Sequence, residues 1–155
     1  MDFQHSSPPP GNRPARHRGP LALLFACAAT AALSTRWPWV KVQFENLWGR
    51  VHGLPAWQST TGFTCLCTSL LIVVMALAET GTPESQRAVR PGSLMLGAFA
   101  LMMLAFEWVS GPGDLQGVTG ARTSWFYAAS IAVPLLFVVC LGRFRALRRR
   151  GGHTG

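Results

Sequence analysis

Charge is missing from four intervals of this 155-residue chain: no Asp, Glu, Lys, Arg or His occurs in 19–35, 53–78, 91–106 or 123–142. A helix that crosses the hydrocarbon core of a bilayer needs about 20 apolar residues, with about 17–25 tolerated. The second and fourth intervals reach that length outright, while the first and third lie at the short limit and draw in flanking residues. The same absence excludes a soluble bundle, whose helices need a polar face to show to water. Stretches such as LLIVVMALA and SLMLGAFALMMLAF have none.

Two further absences remove classes of chemistry. His5, His17, His52 and His153 all lie outside these intervals. A four-helix protein holding haem in the bilayer needs axial ligands within its helices, and histidine usually supplies them. Cysteine shows the reverse pattern: Cys27, Cys65, Cys67 and Cys140 all fall inside the apolar runs. A membrane disulfide-forming enzyme needs a Cys-x-x-Cys and an accessible loop thiol, and neither occurs. Cys65 and Cys67 are two apart and point in well-separated directions on a helix, so small apolar packing residues is the better reading. No Ser-His-Asp arrangement, phosphate-cradling glycine loop or metal-ligand cluster appears. The chain reads as a non-enzyme, with no cofactor expected.

What is present points to an all-α integral membrane protein with four transmembrane helices. The spans are expected at about 20–35, 58–78, 92–109 and 124–142, forming one membrane domain over 20–142. Residues 1–19, rich in Pro, Ser and Arg with no apolar period, read as a disordered basic tail, and 143–155 as a second basic tail. The links ETGTPESQRAVRPG and SGPGDLQGVTGARTS carry Gly and Pro where a helix should stop. The formal charge of +8 does not point to nucleic acid, because the basic residues cluster beside the spans as orientation signals do. With the N-terminus inside, Arg13, Arg16, Arg18, Arg87, Arg90, Arg143, Arg145, Arg148, Arg149 and Arg150 are inner, and Arg36, Lys41, Arg50 and Arg122 are outer. That asymmetry places both termini in the cytoplasm and the protein in the plasma (inner) membrane. One rival stands: a basic start followed by LALLFACAATAAL also resembles a secretory signal, whose cleavage would leave three spans.

The six tryptophans gather on the outer side of this topology. Trp37, Trp39, Trp48 and Trp57 fall in the first outer loop, Trp108 ends the third span, and Trp125 begins the fourth. Indole is apolar in body and polar at its N–H, which suits a membrane surface. Val40, Phe44, Leu47, Trp48 and Val51 lie at helical spacing, and Pro38 suits a first turn, so a short helix in the interface plane is expected. The alternation Val40, Val42, Phe44 would also suit a short strand. Trp37, Trp39, Phe44, Trp48, Trp57, Trp108 and Trp125 are the candidate contacts with lipid or a partner.

Two other features stand out. Glu107 interrupts the third span just before Trp108, and intramembrane carboxylates are functional candidates by default. Pairing with Arg122 or Arg36 is the simpler role for it. Ala22, Ala26, Thr30 and Ser34 recur every four residues, a small-residue stripe that lets another helix approach closely, in this bundle or in a partner. The reading that results is a non-catalytic accessory or scaffold subunit of a larger membrane assembly. Its expected contacts are membrane lipids and other membrane subunits or copies of itself. A small oligomeric transporter or channel with Glu107 as coupling acid is the alternative.

Overall fold

The structure, a computed structural model, describes residues 18–44, 50–79, 83–111 and 118–151. Four helices dominate it: α1 (Arg18–Ser34), α2 (Thr60–Ala78), α3 (Pro83–Ser110) and α4 (Ser124–Gly151). Each packs on its neighbours in sequence, and α1 against α4 closes the ring. Three strands, β1 (Val40–Phe44), β2 (Arg50–His52) and β3 (Val118–Arg122), lie at one end of the bundle, with a short 3-10 turn at Ala56–Gln58. Among the described residues α2, α3 and α4 are long and apolar enough to cross a membrane, and the apolar part of α1, Gly19–Ser34, is shorter.

The packing follows from which residues face inward. Much of the buried core is small: Ala28, Ala31, Ala76, Ala100, Ala129 and Ala132 are all nearly inaccessible. Hydroxyls join them at Ser34, Thr61, Thr68, Ser69 and Ser93. Large apolar side chains such as Leu70, Val74, Met95, Phe106, Ile131 and Val138 turn outward instead. In water that arrangement would leave a large apolar surface exposed. In lipid it is the favoured one, because the tails are as apolar as leucine and only close backbone approach gains contact. The larger core side chains fall into two layers. Trp39, Cys65, Leu104, Phe126 and Val133 fill the layer toward the sheet, and Leu24, Cys27, Ile72, Leu136 and Cys140 fill the other.

The segment expected as an in-plane helix is a strand. β1 sits at the centre of an antiparallel sheet, with β2 on one side (Val42 opposite Val51) and β3 on the other (Val42 opposite Gly120). The period of two in Val40, Val42 and Phe44 therefore prevails over the helical spacing, and the all-α description gains a small sheet. The cause is pairing on both edges, which satisfies the β1 backbone in a way an isolated short helix could not match. Residues Leu47 and Trp48, on which the helical pattern depended, lie outside the described residues.

Helix ends also differ from the apolar runs. α3 begins at Pro83 rather than near 92 and continues through Pro91. α4 continues through Pro134 and past 142 to Gly151. A proline at the first helical position costs nothing, since its missing N–H would be unpaired there anyway. Beyond Gly142 the residues are mostly Arg, Leu and Ala, all good helix formers, so charge ends the apolar run but not the helix. α2 starts where Ser59 caps it: the Ser59 hydroxyl accepts from the Gly62 N–H at 3.1 Å. Gly62 is required there, because a Cβ would lie 1.9 Å from the Ala56 carbonyl oxygen.

Candidate functional site

At the sheet end an aromatic layer joins the strands to the helices. Trp39 is 4% exposed and donates its indole N–H to the Ser34 carbonyl at 3.0 Å. That carbonyl belongs to the last residue of α1 and has no helical donor, so the indole satisfies it. Phe126 meets the Trp39 ring edge-on with centroids 5.7 Å apart. Trp39 is therefore a core residue, and its assignment as a lipid or partner contact is corrected. Trp37, Trp57, Trp108 and Trp125 are all exposed. Trp37 and Trp125 stack face to face at 4.1 Å, tying the start of α4 to the end of α1. Trp108 donates to the Ser130 hydroxyl at 3.0 Å and tilts against Phe126. The backbone of Phe44 lies in β1, and its side chain and all of Trp48 fall outside what is described.

Backbone hydrogen bonds hold this layer together. The Thr123 N–H donates to the Trp39 carbonyl at 2.9 Å and its hydroxyl to the Pro38 carbonyl at 2.7 Å. The Trp57 N–H donates to the Thr35 carbonyl at 2.9 Å. The sheet is thereby anchored on three helix ends, which explains how residues distant in sequence share one surface.

Glu107 lies within this end of the bundle, on α3. Its carboxylate accepts from the Thr61 hydroxyl of α2 at 2.9 Å. Arg122 does not pair with that carboxylate. Its guanidinium donates to the main-chain carbonyls of Glu107 and Trp108 at 3.1 and 2.8 Å, and it lies 4.3 Å from the Trp108 ring centroid. A cation at the carbonyl end of a helix is stabilised by the helix dipole, and the ring face adds to the attraction. The expected ion pair with Arg122 or Arg36 is thus replaced, among the described residues, by a hydrogen bond from a hydroxyl. Thr61 was not identified from sequence, because a threonine one turn into an apolar run gives no signal of its own.

The small-residue face of α1 divides differently from expectation. Leu24, Cys27, Ala28, Ala31 and Ser34 are buried within the bundle, while Ala22, Ala26 and Thr30 are exposed. Ala22–Ala26–Thr30 is therefore not a seam inside this bundle. The Thr30 hydroxyl bonds back to the Ala26 carbonyl at 2.9 Å, so this outward face carries no unpaired polar group.

At the opposite end a charged cluster joins three helices. Glu79, which ends α2 and is 5% exposed, receives Arg90 of α3 on one carboxylate oxygen and Arg143 of α4 on the other. Arg90 also donates to the Arg143 carbonyl at 3.2 Å and to the Gln86 amide oxygen at 3.3 Å. The sequence places a charge here, directly after the second apolar run. It did not show that two arginines from different helices would share it.

No family model, no curated protein and no solved structure matches this chain.

Proposed function

We propose that this protein is a non-catalytic accessory or scaffold subunit of a larger membrane assembly. In this reading all four helices span the plasma membrane, both termini are cytoplasmic, and the sheet with its exposed tryptophans lies at the outer surface. α1, with 17 residues, reaches about 25 Å, a few ångströms short of the roughly 30 Å hydrocarbon core. Its packing along both α2 and α4 supports a spanning position despite that length.

The position of Ala22, Ala26 and Thr30 favours this reading most. A helix facing only lipid has no use for a smooth face, whereas a second helix does, because small residues let two backbones approach closely. Here that face points away from the bundle and is free for a partner. Trp37 and Trp57, exposed at the sheet end, extend the contact surface at the level of the headgroups.

The test is recovery of partner subunits with tagged protein purified in mild detergent. Ala26→Leu should reduce recovery strongly while leaving the melting temperature of the chain itself nearly unchanged, since Ala26 is exposed on the outer face of α1. Leu70→Phe, an enlargement on the exposed face of α2, should leave recovery intact. Equal recovery from both variants would remove the basis for the partner assignment.

A second reading has one observation in its favour. The Glu107 carboxylate is bridged to a hydroxyl rather than neutralised by an arginine, which leaves it able to exchange a proton or bind a cation. In a small oligomeric transporter it would be the coupling acid. Glu107→Gln preserves the bond to Thr61 and would abolish coupled uptake in reconstituted vesicles only under this second reading.

A further inference from the structure

Beside the Glu79 cluster a cavity of about 530 Å3 opens between the start of α1 and the ends of α2, α3 and α4. Its lining combines the apolar Leu21, Ala76 and Val139 with the charged Arg90, Arg143 and Glu79. We propose that this cavity binds the headgroup of an anionic glycerophospholipid, with the phosphodiester against Arg143 and Arg90 and the glycerol and upper acyl chain along the apolar residues.

The charge balance comes first. Among the described residues two guanidinium groups face one carboxylate, so the cluster they form keeps one positive charge in excess. The side chains involved are only 14% (Arg90), 18% (Arg143) and 6% (Glu79) exposed. An uncompensated charge held away from water is costly, and an anion that completes the set removes that cost. The required anion carries a single negative charge, which matches a phosphodiester whose headgroup bears no ammonium.

The donors are already in place. Arg90 is fixed through Glu79, Gln86 and the Arg143 carbonyl, and Arg143 through one Nη2 bond to Glu79. The Nε and Nη1 groups of Arg143 have no hydrogen-bond partner among the described residues. Arginine donors held in a fixed fork suit phosphate oxygens, and little side-chain entropy remains to be lost on binding.

Position selects a lipid rather than a free ion. The cavity lies where the apolar run of α4 ends at Gly142 and its arginines begin, the level of the headgroup and glycerol in a bilayer. Arg87, Arg145, Arg148 and Arg149 are exposed beyond it and would draw anionic lipid to this surface. A soluble anion would gain nothing from Leu21, Ala76 and Val139. The inference depends on bilayer placement and not on the presence of a partner subunit.

The experiment uses the full chain in nanodiscs of phosphatidylcholine containing a minor fraction of phosphatidylglycerol, with lipids retained on gentle release counted by native mass spectrometry. One phosphatidylglycerol should be retained in preference to phosphatidylcholine by about fivefold, the gain expected from one basic side chain near the membrane surface. Arg143→Gln should abolish that preference, whereas Arg145→Gln, the same charge change at an exposed site on the same helix, should preserve it. If Arg143→Gln does not fold, Arg143→Lys keeps the charge without the fork and should lower the preference. Equal retention of the two lipids by the unaltered protein would overturn the assignment, as would equal effects of the Arg143 and Arg145 variants. Displacement of the lipid by millimolar inorganic phosphate would also overturn it, since the cavity would then be a site for free anions.

Discussion

Replacing Trp39 by alanine should destabilise the fold by about 4 kcal/mol, within the roughly 3–5 kcal/mol typical of emptying a buried aromatic site. Trp39 is 4% exposed, so nearly all of the indole is removed from packed surroundings. Its edge-on contact with Phe126 adds about 0.5–1.5 kcal/mol beyond simple burial. Loss of its N–H also leaves the last carbonyl of α1 without its donor, a net effect of about 0.5–1.5 kcal/mol. Trp39→Phe separates these parts. It keeps most of the ring volume, removes the hydrogen bond and leaves a small void, so it should cost about 1–2 kcal/mol. Trp57, 45% exposed in the same connection, is the comparison, and Trp57→Ala should stay within about 0.5 kcal/mol of the unaltered protein. The assay is equilibrium unfolding in detergent micelles, followed by helical circular dichroism. A loss of about 4 kcal/mol lowers the folding constant roughly a thousandfold and is well within reach of that measurement. Coincident midpoints for Trp39→Ala and Trp57→Ala would refute the reasoning, because they would mean the two indoles share one environment.

Three more outcomes are expected. Gly62→Ala should lower the melting temperature, by about 1–3 kcal/mol in stability, since its Cβ meets a backbone carbonyl; Gly97→Ala, whose nearest neighbour would be at 3.6 Å, should not. Glu79→Gln should cost about 3 kcal/mol by leaving two guanidinium groups without their carboxylate, and adding Arg143→Gln should restore part of it, as a double-mutant cycle in unfolding will show. Reporter fusions after Arg18 and at Gly155 should both report the cytoplasmic side. An outer signal at either would exclude the four-span arrangement, and a mature chain beginning after α1 would establish cleavage instead.

The helical framework was legible because absence of charge over a long enough run is a local property. Each such interval corresponds to one of the four helices. Helix ends were less legible for a physical reason. An apolar run reports where lipid is tolerated, while a helix continues for as long as its backbone can hydrogen-bond. Arginine and alanine permit that as well as leucine does, so α4 runs on past Gly142 and α3 starts ahead of Gly92.

The sheet and both polar clusters were decided only by tertiary structure. Val40–Phe44 carried a strand pattern and a helix pattern at once, and the choice came from β3, which reaches it from the far side of two helices. Short strands are stabilised by their neighbours, and a neighbour about 80 residues away leaves no mark on the local pattern. The same holds for the tryptophans. Sequence places Trp37 and Trp39 two residues apart with the same chemistry, yet one stacks on Trp125 at the surface and the other is enclosed against Phe126. It holds again for Glu79, whose charge was plain in the sequence while its partners, 11 and 64 residues away, were set by how three helices converge. Hydrophobic pattern acts through burial summed over a segment and can be read from one strand of text. Hydrogen bonds and ion pairs act over about 3 Å, and only the folded chain determines which groups come that close.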